Sequence, residues 1–457
     1  MIHAGKGPQT SGQPELPLDG RGEAPNALGG GEALATKQEN ARSGASGLMQ
    51  LVVARDNLFA ALKRVRKNKG SPGVDGMTVD ELPDFLRENW EAIREKLLAG
   101  TYQPAAVKRQ EIPKSGGGVR ELGIPTVLDR FIQQAVLQVL QPLFDPGFSE
   151  HSHGFRPGHS AHQAVSEAQR YVQEGRRWVV DVDLERFFDR VNHDVLMGKL
   201  ARRIADGQVL RLIRRYLNAG VLANGVALER QEGTPQGGPL SPLLANVLLD
   251  PVDKELEKTG HAFVRYADDC NVYVRSKRAG ERVMERLRKL YGKLKLRVNE
   301  AKSAVARVWE RKFLGFAFWV APGRIVKPRI ADKAMKAFKD RVRKLTCRTL
   351  GRSLEQVIET LRGYLIGWKA YFRLAQTPHA FARLDEWIRH RLRVLRLKQL
   401  KRGTTAYPEL RRLGANRDAA RGAARHLQSW WRNAALLAHT AFTIRFFDQL
   451  GLPRLAA

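Results

Sequence analysis

Phe263 to Val274 reads FVRYADDCNVYV, two short apolar runs with Tyr266-Ala267-Asp268-Asp269 between them. Runs rich in β-branched and aromatic residues around an acidic tetrapeptide predict strand, tight turn, strand, with Cys270-Asn271 opening the return strand. This hairpin constrains the chain more than any other segment. Two adjacent carboxylates repel, and a bound divalent metal offsets that repulsion better than solvent alone. Taken by itself, Ala-Asp-Asp is also what an ordinary solvated turn looks like. The other segments have to decide between the two.

A second acidic strand lies upstream. Trp178 to His193 reads WVVDVDLERFFDRVNH, with Asp181 and Asp183 alternating with Val180, Val182 and Leu184. Residues two apart on a strand share a face, so both carboxylates point the same way. Between the two acidic motifs, Gln231 to Asp250 reads QEGTPQGGPLSPLLANVLLD. Gly233, Gly237 and Gly238 allow backbone close to a ligand, and Pro235, Pro239 and Pro242 stiffen the loop before an apolar helix near Leu243. Glu111 to Arg130 reads EIPKSGGGVRELGIPTVLDR, two strand-like runs around a flexible Ser115-Gly116-Gly117-Gly118. That is a further hairpin signal. Lys114 and Arg120 fall on opposite sides of its turn, which suits a charged clamp on a triphosphate or two solvated surface charges.

In this order the segments resemble the reverse transcriptases. Tyr266-Ala267-Asp268-Asp269 resembles their polymerase motif, and TPQGGPLSPLLAN (234–246) is similar to their group II intron branch. Ser71-Pro72-Gly73-Val74-Asp75-Gly76 resembles the N-terminal fingers motif. Asn299, Lys302 and Ser303 match the later Asn-x-x-Lys element, and Phe313-Leu314-Gly315-Phe316 resembles the primer-grip strand that closes the palm. LRGYLIGWKAYF (361–372) resembles the maturase thumb. The resemblance covers roughly residues 50 to 440.

It implies a right-hand polymerase fold, α/β in the fingers and palm (48–323), followed by an all-α thumb or maturase domain (324–402). A basic C-terminal extension (403–457) is read as a DNA-binding region. The resemblance makes Asp183, Asp268 and Asp269 the catalytic residues and the ligands of two Mg²⁺ ions, and leaves Asp181 a supporting or solvent-facing carboxylate. Phe188 becomes the bulky gate that rejects a ribose 2′-OH, while Asp189, Asn192 and His193 hold the turn into the next helix. Pro235, Gln236 and Gly237 are implied to contact template and incoming nucleotide, and Lys302 to act on the leaving pyrophosphate. The implied partners are dNTPs, an RNA template, a DNA primer or target, and group II intron RNA.

Charge points to the same partners. The net charge of +31 exceeds what solubility needs and calls for a polyanion. It is uneven: Arg324 to Ala457 holds 30 Lys and Arg against 9 Asp and Glu, leaving 48 against 38 for residues 1 to 323. Helical stripes run through that basic third. Ile330, Ala334, Phe338, Val342 and Leu345 form one, and Leu384, Ile388, Leu392 and Leu395 another. Tyr364, Trp368, Tyr371 and Phe372 share one helical face and read as core rather than as a base-stacking platform. Basic amphipathic helices also suit anionic membranes, but upstream polymerase motifs favour nucleic acid.

The only two cysteines, Cys270 and Cys347, exclude a Cys-rich zinc nuclease module and a disulfide framework, which suits a reducing cytosol. No apolar run reaches membrane-spanning length. His151, His153, His159 and His162 cluster, yet HSHGFRPGHSAHQA (151–164) matches the family's fingers, where no metal is needed. Residues 1–47 contain ten glycines and few large apolar side chains, the composition of a disordered tail. A splicing cofactor with an idle polymerase site, and a reverse transcriptase of a defence or CRISPR-associated system, are the competing functional readings.

Overall fold

The computed structural model describes residues 47–113, 119–223, 226–228, 232–234, 237–349 and 351–456. The Gly-rich tail (1–46), Lys114, Pro235 and Gln236 lie outside the described residues. The chain divides into two compact units, one within Arg21–Phe313 and one within Leu314–Ala457.

Ten strands are described: β1 Val107–Pro113, β2 Val119–Ile124, β3 Trp178–Val182, β4 Val221–Ala223, β5 Val226–Leu228, β6 Ala262–Tyr266, β7 Asp269–Val274, β8 Ala304–Arg307, β9 Phe316–Ala321 and β10 Ile325–Ile330. In the first unit, β1 and β2 form the expected antiparallel hairpin, and β1 also pairs in parallel with β4. The second sheet runs β6-β7-β3-β8, antiparallel throughout. Helices Ala161–Gln173 and Ser241–Lys258 pack on β6, and Lys277–Lys293 packs on β3, β7 and β8. Val180, Val182, Phe263, Val272, Leu287 and Tyr291 are fully buried between these layers. Each such aliphatic or phenyl side chain contributes about 1.5–3 kcal/mol by leaving water. Ser160 and Ser276 start two of the flanking helices by accepting the backbone N–H three residues on.

The second unit begins with a hairpin and continues as helices, among them Asp332–Leu345, Leu354–Tyr371 and Pro378–Gln399. Its centre is aromatic. Trp368 lies 4.1 Å from Phe338 and 4.8 Å from Phe372, and Phe316 lies 5.1 Å from Phe372, measured between ring centroids. Tyr364, Trp368, Tyr371 and Phe372 are therefore core, as their spacing on one face predicts.

Three expectations need correction. The segment placed in an all-α domain opens on a strand, because β10 pairs with β9 from Phe316↔Ile330 to Ala321↔Ile325. The expected boundary at 323/324 falls in the turn of that hairpin, and the units divide instead at Phe313/Leu314. Ile330 belongs to β10 rather than to a helical stripe, since Ala331 is extended and the helix starts at Asp332. Leu314 and Gly315 take positive φ (49° and 80°), which breaks the strand before Phe316 enters β9.

Candidate active site

The β6–β7 ladder ends at Tyr266↔Asp269, leaving Ala267 and Asp268 as a two-residue turn. Ala267 takes φ 57°, a left-handed conformation that glycine adopts more easily. The β3–β7 ladder ends at Val182↔Cys270, so Asp183 and Asp269 each stand next to its last pair. Neighbouring strands lie about 4.8 Å apart. Register thus brings carboxylates from two distant segments to one end of one sheet.

Asp183 is fixed through its backbone. Its N–H donates to Ser303 Oγ (3.0 Å), and its carbonyl accepts from the Asn299 N–H (2.8 Å) and the Ser303 hydroxyl (3.2 Å). Lys302 Nζ stands 3.6 Å from Asp183 Oδ1 with the lysine side chain 65% exposed. Such a solvated pair is weak. The ammonium can leave the carboxylate for a phosphate at little cost. Asp181 is otherwise engaged: Arg311 donates to its Oδ2 from Nε (2.8 Å) and Nη2 (2.6 Å). Burial pushes the Asp181 carboxyl up and the Arg311 guanidinium opposes it. Asp181 is a supporting carboxylate and not a solvent-facing one.

The Phe187–Arg190 turn and the glycine-rich loop adhere to each other. Phe188 lies in a short turn, Phe187–Arg190, half-buried and edge-on to Phe187 at 5.0 Å. Its carbonyl accepts from the Thr234 N–H (2.7 Å), and the Val191 carbonyl from the Gly233 N–H (2.8 Å). His193 Nε2 is 2.7 Å from the Gly233 carbonyl oxygen, and Asn192 caps the following helix through the Val195 N–H (3.0 Å). Gly237, φ 138°, approaches the fingers: a Cβ there would lie 2.7 Å from the Gly123 carbonyl oxygen in β2. Arg120 pairs with Ile112 across the β1–β2 hairpin.

The donor set is all oxygen, which suits a hard cation such as Mg²⁺. Among the described residues no three His, Cys, Asp or Glu side chains are gathered into a metal cage. The two observations are compatible, because Mg²⁺ at phosphoryl-transfer sites is held by one or two carboxylates with waters and substrate phosphates. Two of the clustered histidines, His151 and His153, are committed to a carboxylate. His151 Nδ1 and His153 Nε2 meet the two oxygens of Glu167 at 2.6 and 2.7 Å, and Tyr171 donates to the same carboxylate at 2.7 Å. Burial alone would raise the Glu167 carboxyl, but these three hydrogen bonds hold it well below the usual range. The Glu167 hydrogen bond raises His151 in turn.

Sequence reasoning passed over Arg311 and Arg265. Arg265 carried a signal, an arginine inside the apolar run that forms β6. Arg311 carried none, since its partner Asp181 is remote in sequence.

A model of the reverse transcriptase (RNA-dependent DNA polymerase) family matches residues 112–318, and one of the group II intron maturase-specific domain matches residues 335–414. The chain is 33% identical over 302 residues to protein YkfC of Escherichia coli (strain K12), covering 57% of this chain and 79% of YkfC. It is 35% identical over 264 residues to group II intron-encoded protein LtrA of Lactococcus lactis subsp. cremoris, covering 57% of this chain and 44% of LtrA. A solved Cas6-RT-Cas1--Cas2 complex contains a chain similar at TM-score 0.36 and 25% identity, covering 54% of this chain and 27% of that one. The chain belongs to the group II intron-encoded reverse transcriptases, the polymerase family that carries a maturase-specific domain. Among the described residues no helix is long and apolar enough to cross a membrane.

Proposed function

We propose that this chain copies RNA into DNA at the end of the β6-β7-β3-β8 sheet, and binds group II intron RNA through its basic helical unit to assist splicing and mobility. The observation that carries the reading is the end of the β3–β7 ladder, Val182↔Cys270, which Asp183 and Asp269 flank beside the Asp268 turn. Those three carboxylates would hold two Mg²⁺ ions, which would supply the Lewis-acid charge for activating a primer 3′-OH and for stabilising the negative charge of an incoming triphosphate. The protein's part is orientation and charge. Asp183 is held by Asn299 and Ser303, and Lys302 meets the charge that develops on pyrophosphate. Lys114 and Arg120 grip the triphosphate. Phe188 closes on the ribose edge, and Pro235, Gln236 and Gly237 border the templating pair. The net +21 of residues 324–457 supplies the phosphate-binding surface for intron RNA and target DNA.

The experiment is extension of a DNA primer on an RNA template with Mg²⁺ and dNTPs, with Asp268→Ala beside the wild type. Incorporation by the wild type alone supports the reading. A folded, RNA-binding wild type that incorporates nothing leaves the chain a splicing cofactor with an idle polymerase site.

A further inference from the structure

The turn that carries Asp268 is held from behind by groups with no part in the chemistry proposed above. Arg265 lies in β6, 1% exposed. Its Nη1 donates to the Ala267 carbonyl (2.8 Å) and to Asn246 Oδ1 (2.9 Å), while Nε and Nη2 donate to Asp253 Oδ1 (2.8 Å) and Oδ2 (2.5 Å). Asn246 and Asp253 are fully buried on the helix Ser241–Lys258. Asn246 also donates to the Gly154 carbonyl (2.9 Å). The segment leading to Gly154 runs beside β6, with the Arg265 N–H on the His151 carbonyl (2.9 Å) and the His153 N–H on the Arg265 carbonyl (2.8 Å). Gly154 then presses on the turn itself: a Cβ there would lie 2.1 Å from the Ala267 nitrogen and 2.9 Å from the Tyr266 carbonyl carbon. Arg156 secures the far side of this segment through Asp145 (2.9 Å) and the Ser149 and Ser152 carbonyls (2.5 and 3.0 Å).

A buried Arg–Asp pair is a poor route to stability, because desolvation offsets most of the attraction and apolar residues of similar volume serve as well. Apolar residues could not donate to the Ala267 carbonyl. That bond fixes a turn in which Ala267 sits at φ 57°, while Gly154 packs against the Ala267 nitrogen. We propose that Arg265 is a positioning residue for Asp268 and Asp269, acting through the Ala267 carbonyl, with Asn246 and Gly154 completing the clamp. This rests on the polymerase function proposed above.

The test uses the full chain on a primer–template whose primer ends in a dideoxynucleotide, with the incoming dNTP present, so that nothing turns over. Mn²⁺ affinity is read by electron paramagnetic resonance for the wild type, Arg265→Lys, Asn246→Ala and Asp268→Ala. Lysine keeps the charge but lacks the planar fork that reaches Asp253 and the turn together. Arg265→Lys should weaken Mn²⁺ binding about tenfold. With an extendable primer, it should slow incorporation by up to about a hundredfold, leaving the KM for dNTP within about twofold. Asn246→Ala should act in the same direction more weakly, and it only trims a side chain, so it keeps the test open if Arg265→Lys does not fold. Folded variants with wild-type Mn²⁺ affinity and rate, beside an Asp268→Ala protein that has lost both, overturn the positioning role and leave the polymerase standing. A wild type that binds Mn²⁺ no better than Asp268→Ala sinks the polymerase reading, and the inference with it.

Discussion

The two units use arginine in opposite ways. Around the acidic turn, arginines are drawn inward and tied to carboxylates, Arg265 to Asp253 and Arg311 to Asp181. In the helical unit the centre is aromatic and aliphatic, and most cations stay near the surface, some over indole rings. Arg343 and Arg391 lie 5.7 and 5.4 Å from the Trp387 ring centroid, and Arg348 lies 5.2 Å from that of Trp430. Buried ion pairs set geometry at the cost of desolvation, whereas an apolar core gives stability and leaves charge free for a polyanion. One unit is organised for placement and the other for grip.

Breaking the placement should have the largest effect. Asp268→Ala or Asp269→Ala is expected to abolish dNTP incorporation while RNA affinity stays close to wild type. A mutant that extends primers at near the wild-type rate would refute the assignment. Grip should fail in salt: RNA affinity is expected to drop roughly a thousandfold between about 50 and 200 mM monovalent salt, as for proteins that neutralise several phosphates. A flat salt profile, measured by filter binding, would remove the electrostatic half of the contrast.

The helical unit's dependence on its aromatic centre can be tested separately. Trp368→Ala should cost about 3–5 kcal/mol in denaturant unfolding; a loss under about 1 kcal/mol would mean that the stripe is not the core. Phe188→Ala should reduce discrimination against ribonucleotides by about tenfold or more, read as the ratio of kcat/KM for a dNTP and its rNTP. Unchanged discrimination would free Phe188 of the gate.

The smallest effect concerns the polar cluster beside β6. Glu167 raises His151 above its ordinary value of 6.5, so this contribution to stability is full below about that pH and fades as pH rises through the folded value. Glu167 itself is lowered from 4.5, so its contribution is full above that pH and fades as pH falls through the folded value. The stability gap between wild type and Glu167→Gln should therefore be widest between pH 4.5 and 6.5 and narrow as pH rises. A gap that grows above neutrality would contradict the His151–Glu167 pairing.

Much of the site was legible in the chain. The acidic hairpin, the strand leading to Asp183 and the fingers hairpin are written in local alternation and turn residues, and local patterns survive folding. The implied boundary at 323/324 falls inside the β9–β10 hairpin, because a compact unit is delimited by packing, which motif order along the chain does not record. Ile330's spacing fits a helical stripe, but it is the last residue of β10, paired with Phe316 across the hairpin.

By itself the sequence determined the chemistry on offer: oxygen ligands in a tight turn, a second acidic strand, a bulky aromatic after it, and a surplus of cations toward one end. Residue type and spacing settle these because neighbours along a strand or turn are neighbours in space. Only the tertiary structure decided that Asp183 and Asp269 flank one end of the β3–β7 ladder and that Arg311 takes Asp181 out of solvent. It also decided that Arg265, Asn246 and Gly154 converge on the carbonyl and nitrogen of Ala267. Those relations join residues far apart in the chain, and they exist only once the sheet has chosen its register and the helix beside it has been packed.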